Sequence, residues 1–265
     1  MIPKIIHQTA PNNKDEWHPI WILCNESVKN NFKNFKYILW NDEDIDNFIL
    51  KNFPNQYLEY KKIPFHIIKI DLFRYVLLYV HGGIYIDMDM YCYQNFFNDL
   101  NSDINLVESD CPDEFGKIEI VQNSLMAGKK NKQFFLDCFL EGIKRSKETK
   151  FNKEIHDNHY NVKYISGPIL LKDIMLEYKK LENINILPLK YFNTTNNHWY
   201  NPQHKVRHMA SGMWGKEIHI MFKNLKEKEN NIAPLKEYHK KSYLNKTKID
   251  IDKLDFYKKY YDNNN

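Results

Sequence analysis

The chain has 265 residues, 43% of them hydrophobic and 27% charged, with a formal net charge of +4. That is the composition of an ordinary soluble globular protein with a substantial core, and the charge is too mild to point to nucleic acid. The four cysteines, Cys24, Cys92, Cys111 and Cys138, include no C-x-x-C pair, which argues against zinc and suits a reducing compartment.

The opening residues, MIPKIIHQTA, read as a strand and not as a signal peptide. A strand is predicted over 4–8, a helix over 20–32 and a second strand over 35–40. Asn41 or Asp42 then caps a helix whose apolar residues, Ile45, Phe48, Ile49 and Phe53, fall at helical spacing. This β-α-β-α order predicts an α/β fold with a mostly parallel central sheet. Pro64 suits a helix N-terminus, and that helix is expected to run to about Val80, where His81-Gly82-Gly83 ends it. Its apolar stretch over 67–80 is too short to span a bilayer and carries Lys69, Asp71 and Arg74. With no leader or membrane span, a cytoplasmic location is expected, in the host cytoplasm if the source is viral.

A short strand over 84–86 delivers Asp87 and Asp89. Further strands are expected over 104–108 and 118–125, and helices over 132–147 and 169–180. Residues 191–214 read as a long loop of the kind that is often functional. No repeat or linker divides the chain. The prediction is one domain over 1–225, followed by a Lys- and Tyr-rich, partly helical extension over 226–265.

Asp87 and Asp89 lie one residue apart in GGIYIDMDMY. Two like charges at the end of a buried strand are costly unless a cation joins them. Residues two apart on a strand point to the same side, so both carboxylates can converge on one ion. Oxygen ligands favour Mg²⁺ or Mn²⁺ over zinc. A calcium EF-hand loop fails, because its sixth position would be Cys92 and its twelfth Asn98. By itself D-x-D is common in surface turns. Its neighbours add weight. Asp71 and Arg74 stand three apart on an otherwise apolar helix and so share a face. Arg is rare in this Lys-rich chain, occurring only at 74, 145 and 207. Gly82-Gly83 sets that helix beside the acidic strand, so four charged groups could line one crevice at a strand's carboxyl end, where open α/β sheets bind ligands.

The segment DLFRYVLLYVHGGIYIDMDM resembles the core signature of glycosyltransferase family 32, the DXD sugar-binding transferases. That family includes the yeast initiating α-1,6-mannosyltransferase, and the large clostridial glucosylating toxins look like distant relatives. IPKIIHQT, YILWNDED, NSLMAGKKNKQFF, SGPILL and HMASGMW resemble further blocks of the family in order, across about residues 2 to 215. The chain departs from the family at its last block, where Ser211 and Trp214 are separated by Gly212 and Met213. No membrane anchor like that of the eukaryotic members is expected.

The resemblance implies a GT-A type, Rossmann-like nucleotide-sugar-binding fold. It also implies metal-dependent, retaining transfer of a sugar from a nucleotide-sugar donor, a UDP-sugar in preference to GDP-mannose. The acceptor would be a glycan, protein or small molecule, and no nucleic acid is expected. In that frame Asp89 binds Mn²⁺ or Mg²⁺ directly. Asp87 contacts the ribose, the sugar or the metal through water. Asp71 and Arg74 hold donor-sugar hydroxyls. His208, or failing it Ser211, completes the metal shell, and Trp214 donates its indole N–H to the β-phosphate. His7, Gln8 and Thr9 face the nucleotide, Trp40 stacks on the base and Tyr85 packs on the nucleotide. Asn123 steadies the oxocarbenium-like transition state. The competing readings are a non-catalytic sugar-nucleotide or carbohydrate binder, a nucleic-acid binder using the basic aromatic tail, and a two-metal phosphohydrolase, for which only one acidic pair is present.

Overall fold

The computed structural model describes residues 1–109, 121–154, 158–178, 183–192 and 203–208. In chain order these form β1 (Ile5–Thr9), α1 (Pro19–Asn31), β2 (Lys36–Trp40), α2 (Asp42–Asn52), α3 (Pro54–Lys62), α4 (His66–His81), β3 (Gly83–Ile86), β4 (Met90–Cys92), β5 (Ile104–Glu108), β6 (Val121–Gly128), α5 (Gln133–Glu148), α6 (His159–Ile165), α7 (Pro168–Tyr178), β7 (Ile184–Leu187), α8 (Leu189–Phe192) and β8 (Val206–His208).

Local chemistry explains most boundaries. Asn41 caps α2: its side chain accepts from the Glu43 and Asp44 amides, and the Asp44 carboxylate accepts from the Asn41 amide at 3.4 Å. Asp42, Glu43 and Asp44 then lie where the helix dipole favours negative charge. Pro54 cannot continue α2, so it opens α3 instead. That second helix was not foreseen. Pro64 stands two residues ahead of α4, whose cap is Phe65.

The main sheet has six strands in the order β2-β1-β3-β6-β5-β7. All neighbours are parallel except where β6 runs antiparallel to β3 and β5. The expected α/β fold with a mostly parallel sheet is therefore what forms. Alternation along the strands feeds two cores. Tyr85 packs on one face with Leu72, Phe73, Val76 and Phe139. Ile84 and Ile86 pack on the other with Val28, Met90 and Val206. That second face also carries a separate two-stranded sheet, β4–β8.

Two expectations change. The strand expected over 118–125 runs on to Gly128, because Gly128 pairs with both Gly83 and Ile104. The loop expected over 191–214 contains the end of α8 and all of β8. β8 is a three-residue strand, held by pairing with a segment more than a hundred residues earlier, so nothing local marks it. The extension over 226–265 lies outside the described residues. Among the described residues, no helix is long and apolar enough to cross a membrane.

The turn from α4 into β3 depends on two glycines in the left-handed region, Gly82 at φ 63° and Gly83 at φ 100°. A Cβ on Gly83 would stand 2.7 Å from the Ile5 carbonyl oxygen, inside the β1–β3 contact. Gly83→Ala therefore strains the backbone and separates two core strands. It should cost about 3 kcal/mol in urea unfolding. A cost below about 1 kcal/mol would show that the β1–β3 contact gives way freely.

Candidate active site

Asp87 follows directly on β3. Its amide donates to the Ser124 carbonyl at 2.8 Å, and its carbonyl accepts from the Met90 amide at 3.1 Å and from Gln8 Nε2 at 3.3 Å. The acidic pair thus sits in a tight turn and not on the strand itself. The turn, and not strand alternation, brings the carboxylates together. Met90 then begins β4 and stands opposite His208 on β8. Asp87, Asp89 and His208 each place one ligand atom within 4.8 Å of the other two. His208 Nε2 lies 3.3 Å from Asp89 Oδ1.

Behind this trio lies a buried charge network centred on Arg74. One guanidinium nitrogen lies 2.8 Å from Asp71 Oδ1 and 3.2 Å from Asp87 Oδ1. The other donates to the Asn123 carbonyl at 2.8 Å. The guanidinium also stacks over Tyr85, 4.7 Å from the ring centre. Tyr85 donates its hydroxyl to Asp87 Oδ1 at 2.7 Å, and the Thr9 hydroxyl lies 3.1 Å from the Tyr85 oxygen. Asp71 accepts from the Ser166 hydroxyl at 3.1 Å. Burial pushes the Asp71 carboxyl up to about 6 against the pull of Arg74. It likewise raises Asp87, again opposed by Arg74. Asp71 and Arg74 are only 5% and 3% exposed: the Arg74 guanidinium grips both Asp71 and Asp87, while Asp71 meets Arg74 and the Ser166 hydroxyl.

The remaining sequence candidates divide. Gln8 joins the turn: its amide nitrogen holds the Asp87 carbonyl, while its oxygen accepts from Asn25 at 2.8 Å and Tyr37 at 3.0 Å. Asn123 lies beside the charge network, its amide donating to the Ser166 carbonyl at 3.3 Å. Tyr85 is wholly enclosed under Arg74, with no face open for a nucleotide. His7 is drawn into the core on the α4 side. Its Nε2 donates to the Gly82 carbonyl at 3.0 Å and its Nδ1 accepts from Trp40 at 3.1 Å. Burial holds its pKa down at about 4. Trp40 packs edge-on against Phe48 and Phe73. Ser211 and Trp214 lie outside the described residues. Sequence reasoning passed over Asn25, Tyr37 and Ser166. Ser166 opens the SGPILL block, which was a usable signal, whereas Asn25 and Tyr37 meet Gln8 only through the fold.

Two carboxylates and an imidazole form a hard-to-borderline donor set that suits Mn²⁺ or Mg²⁺. Their ligand atoms all lie within 4.8 Å of one another, close enough to share one small divalent ion. The residues present therefore fit a single divalent cation.

Comparison with known proteins adds relatives. Residues 19–107 match the family described as the glycosyltransferase sugar-binding region containing a DXD motif. Inositol phosphoceramide mannosyltransferase 3 of Schizosaccharomyces pombe is 30% identical over 180 residues, covering 68% of this chain and 46% of that protein. An uncharacterized glycosyltransferase, L373, of Acanthamoeba polyphaga mimivirus is 28% identical over 207 residues, covering 74% of each. Mannosyl phosphorylinositol ceramide synthase CSH1 of Saccharomyces cerevisiae is 28% identical, covering 69% of this chain and 45% of that protein. The chain spans about half the length of these yeast relatives. Among solved structures, the PaToxG glycosyltransferase is similar with a TM-score of 0.49 at 16% identity, covering 68% of this chain and 70% of that one. The galactosyltransferase LgtC is similar with a TM-score of 0.41 at 10% identity, covering 77% and 86%.

Proposed function

Residues 19–107 belong to the family of glycosyltransferase sugar-binding regions that contain a DXD motif, and from that premise we propose that this chain is a metal-dependent, retaining glycosyltransferase of GT-A type that moves a sugar from a nucleotide-sugar donor to a hydroxyl acceptor. The observation that carries the reading is the convergence of Asp87, Asp89 and His208 on one point at the carboxyl end of β3. Transfer leaves a nucleoside diphosphate whose growing negative charge needs neutralising. A divalent ion held by Asp89, Asp87 and His208 supplies that as a Lewis acid.

The chain's own groups do the rest. Asp89, 9% exposed and next to His208, is the direct metal ligand. Asp87 is oriented by Tyr85 and Arg74, which fix one carboxylate oxygen and leave the other for ligand. Arg74 favours the ionised forms of Asp71 and Asp87 against the burial that raises both. Asn123, placed against that pair, is the group assigned to the reacting carbon of the sugar.

The donor is a UDP-sugar or GDP-mannose. Two relatives are named for mannosyl transfer to a phosphoinositol ceramide, which places mannose among the sugars to test. The acceptor is a glycan, a protein or a small hydroxyl compound. The test is a screen of UDP- and GDP-sugars with Mn²⁺, reading nucleotide release. Release from one donor, stopped by EDTA, is the expected result. No release from any donor, together with no Mn²⁺-dependent donor binding by calorimetry, would overturn the reading in favour of a non-enzymatic binder.

A further inference from the structure

Gln122 has no place in the network above, yet it sits beside it. The next residue, Asn123, gives its carbonyl to Arg74, and the one after, Ser124, gives its carbonyl to Asp87. Gln122 is 6% exposed. Its side-chain oxygen accepts from the Ser124 hydroxyl at 2.5 Å. Among the described residues its amide nitrogen is buried with no hydrogen-bond partner. A buried amide left unpaired costs about 1–3 kcal/mol, and native chains rarely carry one without a use for it. Turning the amide over does not help: one atom would still meet Ser124 and the other would still have nothing.

The topology says which way Gln122 faces. The Asn123 side chain turns to the α4 and α7 face, where it meets Ser166. Gln122 and Ser124, flanking it on β6, take the opposite face. That is the face on which Met90 and Val206 of the β4–β8 pair pack, and β4–β8 carries His208. β6 runs antiparallel to β3, and Ile86 pairs with Leu125. Gln122 therefore lies past the end of β3, at the same end of the sheet as Asp87 and Asp89.

We propose that Gln122 is a substrate-contacting residue of the candidate active site, and that its side-chain amide hydrogen-bonds a hydroxyl of the sugar carried by the donor. This rests on the glycosyltransferase reading and adds a specificity determinant to it. A hydroxyl both donates and accepts, so it satisfies the free amide atom in either orientation, whereas a phosphate oxygen only accepts. A pocket that holds a sugar hydroxyl in this way discriminates strongly against a sugar lacking it, because the protein group is then left buried and unpaired.

The test uses the full chain with Mn²⁺ and the donor found active in the screen, comparing wild type with Gln122→Met, which keeps the volume and removes the amide. Three quantities are read: donor hydrolysis, calorimetric binding of the sugar-free nucleoside diphosphate, and the melting temperature. The expected result is a loss of kcat/KM of about ten- to a hundredfold, with nucleoside diphosphate affinity and melting temperature kept near wild type. Among donors that each lack one hydroxyl, one should be penalised by a similar factor in wild type and not further in Gln122→Met. Unchanged kcat/KM in the variant, or a loss that tracks a fall in melting temperature or in nucleoside diphosphate binding, would overturn the proposal. A wild-type protein that neither binds nor hydrolyses any donor defeats the parent reading, and this inference falls with it.

Discussion

Asp89→Ala should abolish Mn²⁺-dependent donor binding and lower donor turnover by about a thousandfold or more. Asp89 is the largely buried member of the convergent trio, with Asp87 close on one side and His208 3.3 Å away on the other. Removing it leaves one carboxylate and one neutral imidazole, too little charge to hold a hard divalent ion against water. The charge stabilisation worth several kcal/mol in the transition state is then lost. The fold should survive, because the turn is held through the backbone of Asp87 and through Gln8. Calorimetry of the variant with Mn²⁺ and nucleoside diphosphate checks the binding arm. Circular dichroism and urea unfolding check that the protein is intact. A variant that still binds donor in a Mn²⁺-dependent way with wild-type affinity would remove Asp89 from the metal site.

Replacing Arg74 should have the largest effect on stability. Arg74→Met leaves Asp71 and Asp87 enclosed without a cation, and the Asn123 carbonyl without its donor. Breaking a buried ion pair from one side costs about 3–5 kcal/mol, because the remaining charge is stranded. Asp71 is already pushed up to about 6 with Arg74 present, so without the guanidinium it should take up a proton at neutral pH. The double variant Asp71→Asn, Arg74→Met removes both charges and should recover part of that loss. Arg74→Lys keeps the charge but cannot reach Asp71, Asp87 and the Asn123 carbonyl with one rigid fork, and should fall between wild type and Arg74→Met. Urea unfolding of wild type, Asp71→Asn, Arg74→Met and the double variant closes a double-mutant cycle. Equal losses for Arg74→Met and the double variant would mean that Asp71 is not the group stranded.

The buried network also explains how Asp87 can be both a structural and a functional group. Its backbone and one carboxylate oxygen are held by Gln8, Ser124, Tyr85 and Arg74. A ligand carboxylate locked in this way pays its orientational entropy during folding and not at the moment of binding. The residues that do the locking come from β1, α4, β3 and β6, so they cannot be recognised from any one segment.

Much of this was legible in the amino-acid order. The α/β class, the helix ending at Gly82 and the acidic pair behind it follow from short-range rules: period-3.6 apolar spacing, a glycine free to take positive φ, and polar caps. The Asp71–Arg74 pair was also legible, because i and i+3 on a helix must face the same way. Roles that depend on facing a ligand were not. His7 lies mid-way along β1 and Trp40 ends β2, but their side chains take the α4 face and close on each other. Tyr85 lies two residues before Asp87, yet it serves as a buried support under Arg74. The helix α3 that opens at Pro54 was missed because it carries little apolar periodicity, with Tyr60 its one buried residue.

The sequence by itself determined most of the elements and the acidic pair, because apolar periodicity, capping and turn chemistry act over a few residues. Only the tertiary structure decided which groups surround that pair. His208 reaches Asp89 through β8, a strand with no local signal. Gln8 and Ser124 grip the turn from other strands, and Gln122 is left at its edge with an unpaired amide. Those placements are set by pairing and packing between segments far apart in the chain, more than a hundred residues for β4 and β8, where no local rule applies.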